Sequence, residues 1–167
     1  MFHQAASCPR LPKIEGAVVE AENNYKRLSN SIVTYECFDG FRLPKSVIKK
    51  KYQEDPTKLN SHLWKRQTVV CKTNQTSALL EWHVLAEVSK CEPKQCLTPE
   101  EEFKKAKESQ ELLTKTTYPV HSVVNYTCID GRKLAAICNH KEEEYDTTFW
   151  VFPFNKCPGI HRLHSIR

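Results

Sequence analysis

The chain has little glycine, one methionine and no long apolar run. Only 4 of its 167 residues are Gly, which excludes collagen-like repeats and Gly-rich linkers and leaves almost no room for phosphate-cradling loops. No stretch approaches the ~18 consecutive apolar residues of a membrane helix, so no membrane span is expected. The longest apolar piece, residues 149–154, is strand-sized. Nucleophile-elbow, P-loop, dinucleotide-binding and H-E-x-x-H patterns are all missing. The carboxylate runs at residues 100–102 and 142–144 could in principle supply an acid/base pair. Such runs are far more often solvated faces, and they are taken as such. No catalytic residue, cofactor or metal is assigned, and the chain is expected not to be an enzyme.

What the sequence does have is cysteine, 8 in all: Cys8, Cys37, Cys71, Cys91, Cys96, Cys128, Cys138 and Cys157. They fall into two sets of four, separated only by residues 92–95. Two quartets of this kind point to two small disulfide-stapled modules in an oxidising compartment. The alternative is a metal protein. Zinc ligands normally come in close pairs such as C-x2-C, and no two of these cysteines are that close. Only His161 and His164 have ligand-like spacing, and they lie in the tail. The expected organisation is a first module over residues 8–91, a joint at 92–95, a second module over 96–157 and a tail at 158–167. Residues 1–7 are too short for a secretory leader and lack its apolar stretch; the cysteine framework still calls for secretion, so a mature, secreted, extracellular form is expected. Asn74 and Asn125 head the sequons Asn-Gln-Thr and Asn-Tyr-Thr and are candidate glycosylation sites.

One segment repeats. Tyr35-Glu36-Cys37-Phe38-Asp39-Gly40 returns as Tyr126-Thr127-Cys128-Ile129-Asp130-Gly131. Alternating strand patterns run into both copies, and Asp-Gly then supplies a tight turn. Each quartet also places a Trp before its last cysteine, Trp82 and Trp150. A large ring there can cover a disulfide and fill a core too small to build otherwise.

Four cysteines, Y-x-C-x-D-G and a late Trp resemble the complement control protein (sushi) module, over nearly the whole span from Cys8 to Cys157. The resemblance implies an all-β, small, disulfide-rich fold of two tandem atypical modules with almost no helix. It also implies first-to-third and second-to-fourth pairing: Cys8–Cys71, Cys37–Cys91, Cys96–Cys138 and Cys128–Cys157. The sequence by itself allows other pairings. Three departures matter. Residues between Cys37 and Cys71 number 33, far more than in an ordinary module, while only 9 separate Cys128 from Cys138. Residues 98–113 also read as a short helical insertion in the second module, with Thr98 as N-cap, Pro99 at the first position and Glu101 completing a capping box.

These departures resemble atypical sushi proteins secreted by parasitic helminths. The segments that carry the likeness are Tyr118-Pro119-Val120-His121, the apolar run into Cys138, and Phe149-Trp150 through to Cys157-Pro158. That group contains growth-factor mimics of transforming growth factor beta, the alarmin release inhibitors that bind interleukin-33, and relatives that bind its receptor. The partner implied is a host cytokine or a cytokine-receptor ectodomain, within the interleukin-33 axis, and the chain itself is expected to be a monomer. Alternatives are a complement regulator, a transforming growth factor beta mimic, or a glycosaminoglycan- or DNA-binding module.

Charge locates the candidate contact. Through Cys91 there are 14 Lys and Arg against 9 Asp and Glu; from Glu92 onward there are 11 of each. The excess falls in the insertion at residues 44–67, which holds Lys45, Lys49, Lys50, Lys51, Lys58, Lys65 and Arg66 against Glu54 and Asp55. A basic protrusion speeds encounter with acidic partners and can bind heparan sulfate or DNA. The plain alternative is a long loop kept soluble by Lys. Tyr52, Leu63 and Trp64 lie among these cations, a composition typical of interface hot spots. Trp64 could equally pack the insertion onto its own module. Along residues 149–154, Trp150, Phe152 and Phe154 would share one strand face, with Phe149 and Val151 on the other.

Overall fold

Short alternating runs bounded by Gly, Asp and Pro turns give this chain mostly antiparallel strands, and disulfides supply what so small a core cannot. The computed structural model describes residues 7–20, 25–83 and 88–159. His161 and His164 lie outside the described residues. The chain divides into two compact units, Met1–Glu92 and Pro93–Arg167.

The first unit holds a four-stranded antiparallel sheet. Its strands are Ala17–Val19 (β1), Ile32–Cys37 (β2), Arg66–Thr73 (β4) and Leu80–His83 (β5), in the order β1-β2-β4-β5. In β2, residues 33, 35 and 37 turn inward and Ile32 stays exposed, as a period of two requires. Val33, opposite Val69, and Tyr35 form the core with Val69, and Trp82 packs against them. The Trp82 indole donates to the Pro9 carbonyl at 2.6 Å. Asp39-Gly40 makes the expected turn after Cys37, with Gly40 at φ 82°. A two-residue strand, Phe41–Arg42 (β3), follows it. Gly16 is needed for closeness as well as for its positive φ: a Cβ there would collide with the Cys91 carbonyl oxygen.

Between β3 and β4 the long insertion is folded. It contains a helix Lys45–Tyr52 (α1), a 3-10 turn Pro56–Lys58 and a second helix Ser61–Lys65 (α2). The expectation of a module almost without helix is thereby corrected.

The boundary between the units falls at the two-residue strand Glu92–Pro93 (β6). Lys94, placed in the joint by the sequence, is fully buried. That unit pairs Gln95–Leu97 (β7) with Thr117–Pro119 (β8). A three-stranded sheet follows, of Val123–Thr127 (β9), Lys133–His140 (β10) and Thr148–Val151 (β11), with β10 central. Phe103, Tyr118, Tyr126 and Trp150 pack together in the unit's core, three contacts edge to face and Phe103–Tyr126 tilted, with centroids 5.4 to 6.0 Å apart. Trp150 also covers the Cys96–Cys138 bridge.

The helix expected over residues 98–113 is two separate turns, Glu100–Phe103 (α3) and Ser109–Leu112 (α4). Thr98 does not cap it. Its amide donates to Thr116 and its hydroxyl to the Lys115 carbonyl, so strand-like contacts claim it first. Mid-segment, Ala106 bridges to Cys128, and the Lys107 amide donates to the Thr127 carbonyl at 2.8 Å. Those bonds pull the backbone off the helical path. Glu102 also departs from the solvated-face reading. It is buried and accepts from the Tyr126 hydroxyl at 2.9 Å and the Cys157 amide at 3.3 Å. Burial first, and the Glu102 carboxylate second, push the Tyr126 hydroxyl well above its ordinary pKa.

All eight cysteines are bridged: Cys8–Cys71 and Cys37–Cys91 in the first unit, Cys96–Cys138 and Cys128–Cys157 in the second. No bridge joins the two units. The fold is a small, disulfide-rich, mainly β structure, and among the described residues no helix is long and apolar enough to cross a membrane.

Candidate functional site: the basic insert of the first unit

The insert folds because its sequence carries helix punctuation that the Lys run obscures. Pro44 precedes α1 with φ −57°, a backbone angle already suited to a helix start. The last turn of α1 carries Lys49, Lys50 and Lys51, where cations complement the helix dipole. Gln53 then ends the helix in the left-handed region, its amide donating to the Lys49 carbonyl at 2.8 Å. Asp55 opens the 3-10 turn, accepting from the Thr57 amide at 3.0 Å, with Pro56 just inside. Asn60 caps α2 by accepting from the His62 amide at 2.8 Å. The Asp-Pro and Asn caps are the signals that could have revealed these elements beforehand.

Packing fixes the insert as a body. Leu43, Ile48 and Trp64 are each 0% exposed, and Pro56 is buried too. The Leu43 amide donates to the Trp64 carbonyl at 3.0 Å, tying the start of the insert to its end. Trp64 therefore corrects the hot-spot reading: its ring is interior, and no partner can touch it without unfolding the insert. Lys65 lies with its ammonium 5.3 Å from the Trp64 ring centroid.

The remaining candidates stand as follows. Lys45, Lys49 and Lys50 are exposed on α1; Lys45 and Lys49 are four residues apart and share a side of the helix. Lys51 is partly covered and holds its ammonium 5.2 Å from the centroid of the Tyr52 ring, also partly covered. Leu63 is exposed on α2. Arg66 is engaged within the unit: it pairs with Glu36 at 3.6 Å and donates to His62 Nδ1 at 2.7 Å. Asp55, a nearby acid, is committed to capping. The Thr57 amide, then the Thr57 hydroxyl, hold its carboxyl below the usual range, and Lys45 and Lys49 lower it further. The structure thus places Lys45, Lys49, Lys50, Lys51 and Tyr52 on α1 and Leu63 on α2, and removes Trp64 from the contact set.

At the end of the second unit, β11 stops at Val151. Phe152 packs on the core and Phe154 is fully exposed, so the expected single face of Trp150, Phe152 and Phe154 does not form. Pro153 accounts for this, since a proline cannot donate to a sheet ladder.

Both sequons fall among the described residues. Asn74 sits in the turn between β4 and β5, where its side-chain oxygen accepts from the Thr76 and Ser77 amides and its amide donates to Glu81. Asn125 lies exposed in the middle of β9.

No protein-family model matches the chain, and no curated protein matches it.

Proposed function

We propose that the chain is a secreted, non-enzymatic binding protein of two atypical sushi modules. In this reading it blocks host cytokine signalling by occupying a cytokine or its receptor ectodomain, within the interleukin-33 axis. The observation that carries it is the basic insert: two prefolded helices, with Leu43, Ile48 and Trp64 wholly buried, that expose Lys45, Lys49, Lys50 and Leu63 and carry the half-buried Tyr52. A rigid surface of cations with apolar and aromatic neighbours suits an acidic protein partner, because little ordering entropy is lost on docking. The repeated Y-x-C-x-D-G segment and the first-to-third, second-to-fourth bridges in both units support the sushi reading.

A pulldown from host serum and lymphoid-tissue extract, read by mass spectrometry, tests the reading. Surface binding to interleukin-33 and to its receptor ectodomain then follows. Enrichment of either, abolished by competition with the chain itself, is the expected result. Failure of both to bind the folded protein would remove the cytokine axis.

The clustering of Lys45, Lys49, Lys50 and Lys51 on one helix favours a second reading, a polyanion-binding module for heparan sulfate or DNA. Heparin chromatography separates the two. Elution below physiological salt argues against the polyanion.

A further inference from the structure

The sheet of the second unit leaves one face uncovered. Along β10, residues 134, 136, 138 and 140 turn toward the core, and 133, 135, 137 and 139 turn away. On the outward face, Val151, Ile137 and Val123 stand directly opposite one another across all three strands. They are 43%, 39% and 58% exposed, and Phe149 beside them is 42% exposed. A contiguous apolar row on a small soluble unit calls for a cover.

The same face carries Asn125. It lies two residues from Val123 on edge strand β9, opposite Ala135 and diagonal to Ile137. Directly opposed side chains on a sheet are about 5 Å apart and diagonal ones about 7 Å. A sugar ring attached at Asn125 therefore reaches Val123 and Ile137 without any backbone change. Ala135 is small and leaves room for it. A shallow depression of about 440 Å³ opens beside Asn125, bordered by Glu108, Thr127, Lys133 and Ala135. Thr127, the hydroxyl residue of the sequon, is on the same strand face as Asn125. The Asn125 side chain makes no hydrogen bond among the described residues, whereas that of Asn74 is occupied by its turn.

We infer that Asn125 carries an N-linked glycan whose first sugar lies on the outward face of this sheet and covers Val123 and Ile137. The donor is a lipid diphosphate-linked oligosaccharide. The carboxamide nitrogen of Asn125 bonds to C1 of the sugar, the C1–O bond to the diphosphate breaks, and the displaced amide proton goes with the lipid diphosphate. No oxidant or reductant is involved. Pyranose rings have one face of C–H groups, which suits an apolar seat, and rim hydroxyls that suit Lys133 and Glu108.

The inference rests on the secreted reading but not on the partner. The full chain is expressed through a eukaryotic secretory pathway, and its peptides are mapped before and after amidase release of N-glycans. The peptide holding Asn125 is expected to be mainly modified, with Asp at that position after release. Glycan removal, or Asn125→Gln, is expected to raise binding of an apolar dye about twofold or more. Thr76→Ala, which removes the other sequon and keeps the Asn74 turn, leaves dye binding unchanged. If Asn125→Gln is not secreted, enzymatic release from the folded wild type gives the same reading. A mainly unmodified Asn125, or an occupied one whose release leaves dye binding unchanged, overturns the inference. An unmodified Asn125 with cytokine binding intact sinks the glycan alone; an occupied Asn125 with no cytokine binding sinks only the partner reading.

Discussion

Lys94 donates from Nζ to Nδ1 of His140 at 3.0 Å, and both side chains are buried. An ammonium has donors only, so Nδ1 accepts and the ring proton sits on Nε2. The same Nζ donates to the Lys141 carbonyl at 3.0 Å and the Glu144 carbonyl at 2.8 Å. One cation thus fastens the first residues of the second unit to the turn that follows β10. Lys94→Met keeps the stem and deletes the donors, leaving buried acceptors unmade. We expect a loss of ~2–4 kcal/mol in denaturant unfolding of the second unit. A loss below ~1 kcal/mol would show that water replaces the ammonium freely.

Tyr35 gives the first unit an alkaline limit. Its hydroxyl donates to the Pro12 carbonyl at 2.7 Å. Burial, and then Tyr25, push its pKa from 10.0 up to about 12. The folded state therefore holds this proton more tightly than the unfolded chain does. The resulting stability is complete below the unfolded value of 10.0 and drains away as pH rises toward about 12. Stability measured across that window should fall, and Tyr35→Phe should flatten the fall. An equally steep decline in the Phe variant would assign the limit to another group.

Trp64 separates packing from recognition. Its ring is wholly interior, so Trp64→Ala should cost ~3–5 kcal/mol and lower the helical signal of the insert. Leu63→Ala, an exposed change, should leave stability within about 0.5 kcal/mol and act on partner dissociation if it acts at all. A Trp64→Ala protein with full helix content and normal melting would contradict this assignment.

Those two neighbours also show what was legible beforehand. Asp39-Gly40, Asp130-Gly131 and the alternation into Cys37 and Cys128 are local chemistry, and each appears where the sequence places it. The side on which Trp64 ends up is not local. It depends on what the folded insert buries, where Trp64, Leu43 and Ile48 all end up interior and the Leu43 amide bonds to the Trp64 carbonyl, and composition cannot tell an interface Trp from a core Trp. The segment from Thr98 to Leu113 fails for the same reason in reverse. Its capping pattern is a good helix start, but the bonds of Thr98 to residues 115 and 116, and of Ala106 to Cys128, are tertiary and outweigh it. The candidate cations were legible as a cluster; that they ride on a capped, prefolded helix was hidden behind the Lys run.

That helix makes a kinetic prediction. Lys49, Lys50 and Lys51 occupy its last turn, with Lys49 and Lys50 exposed. Long-range attraction acts on encounter, while short-range packing sets how long a complex lasts. Lys49→Ser, Lys50→Ser and Lys51→Ser together should slow association with the captured partner by about tenfold at low salt. The difference from wild type should shrink as salt rises, because exposed charges are screened within about 10 Å at 0.1 M. Dissociation should change little. Tyr52→Ala should do the opposite, speeding dissociation with little effect on association, by ~2 kcal/mol if the ring is a hot spot. Helix content must be checked in both, since serine is a weaker helix former than lysine by a few tenths of a kcal/mol per position. Unchanged association and dissociation in both variants, with the helical signal retained, would move the contact off the insert and onto the second unit.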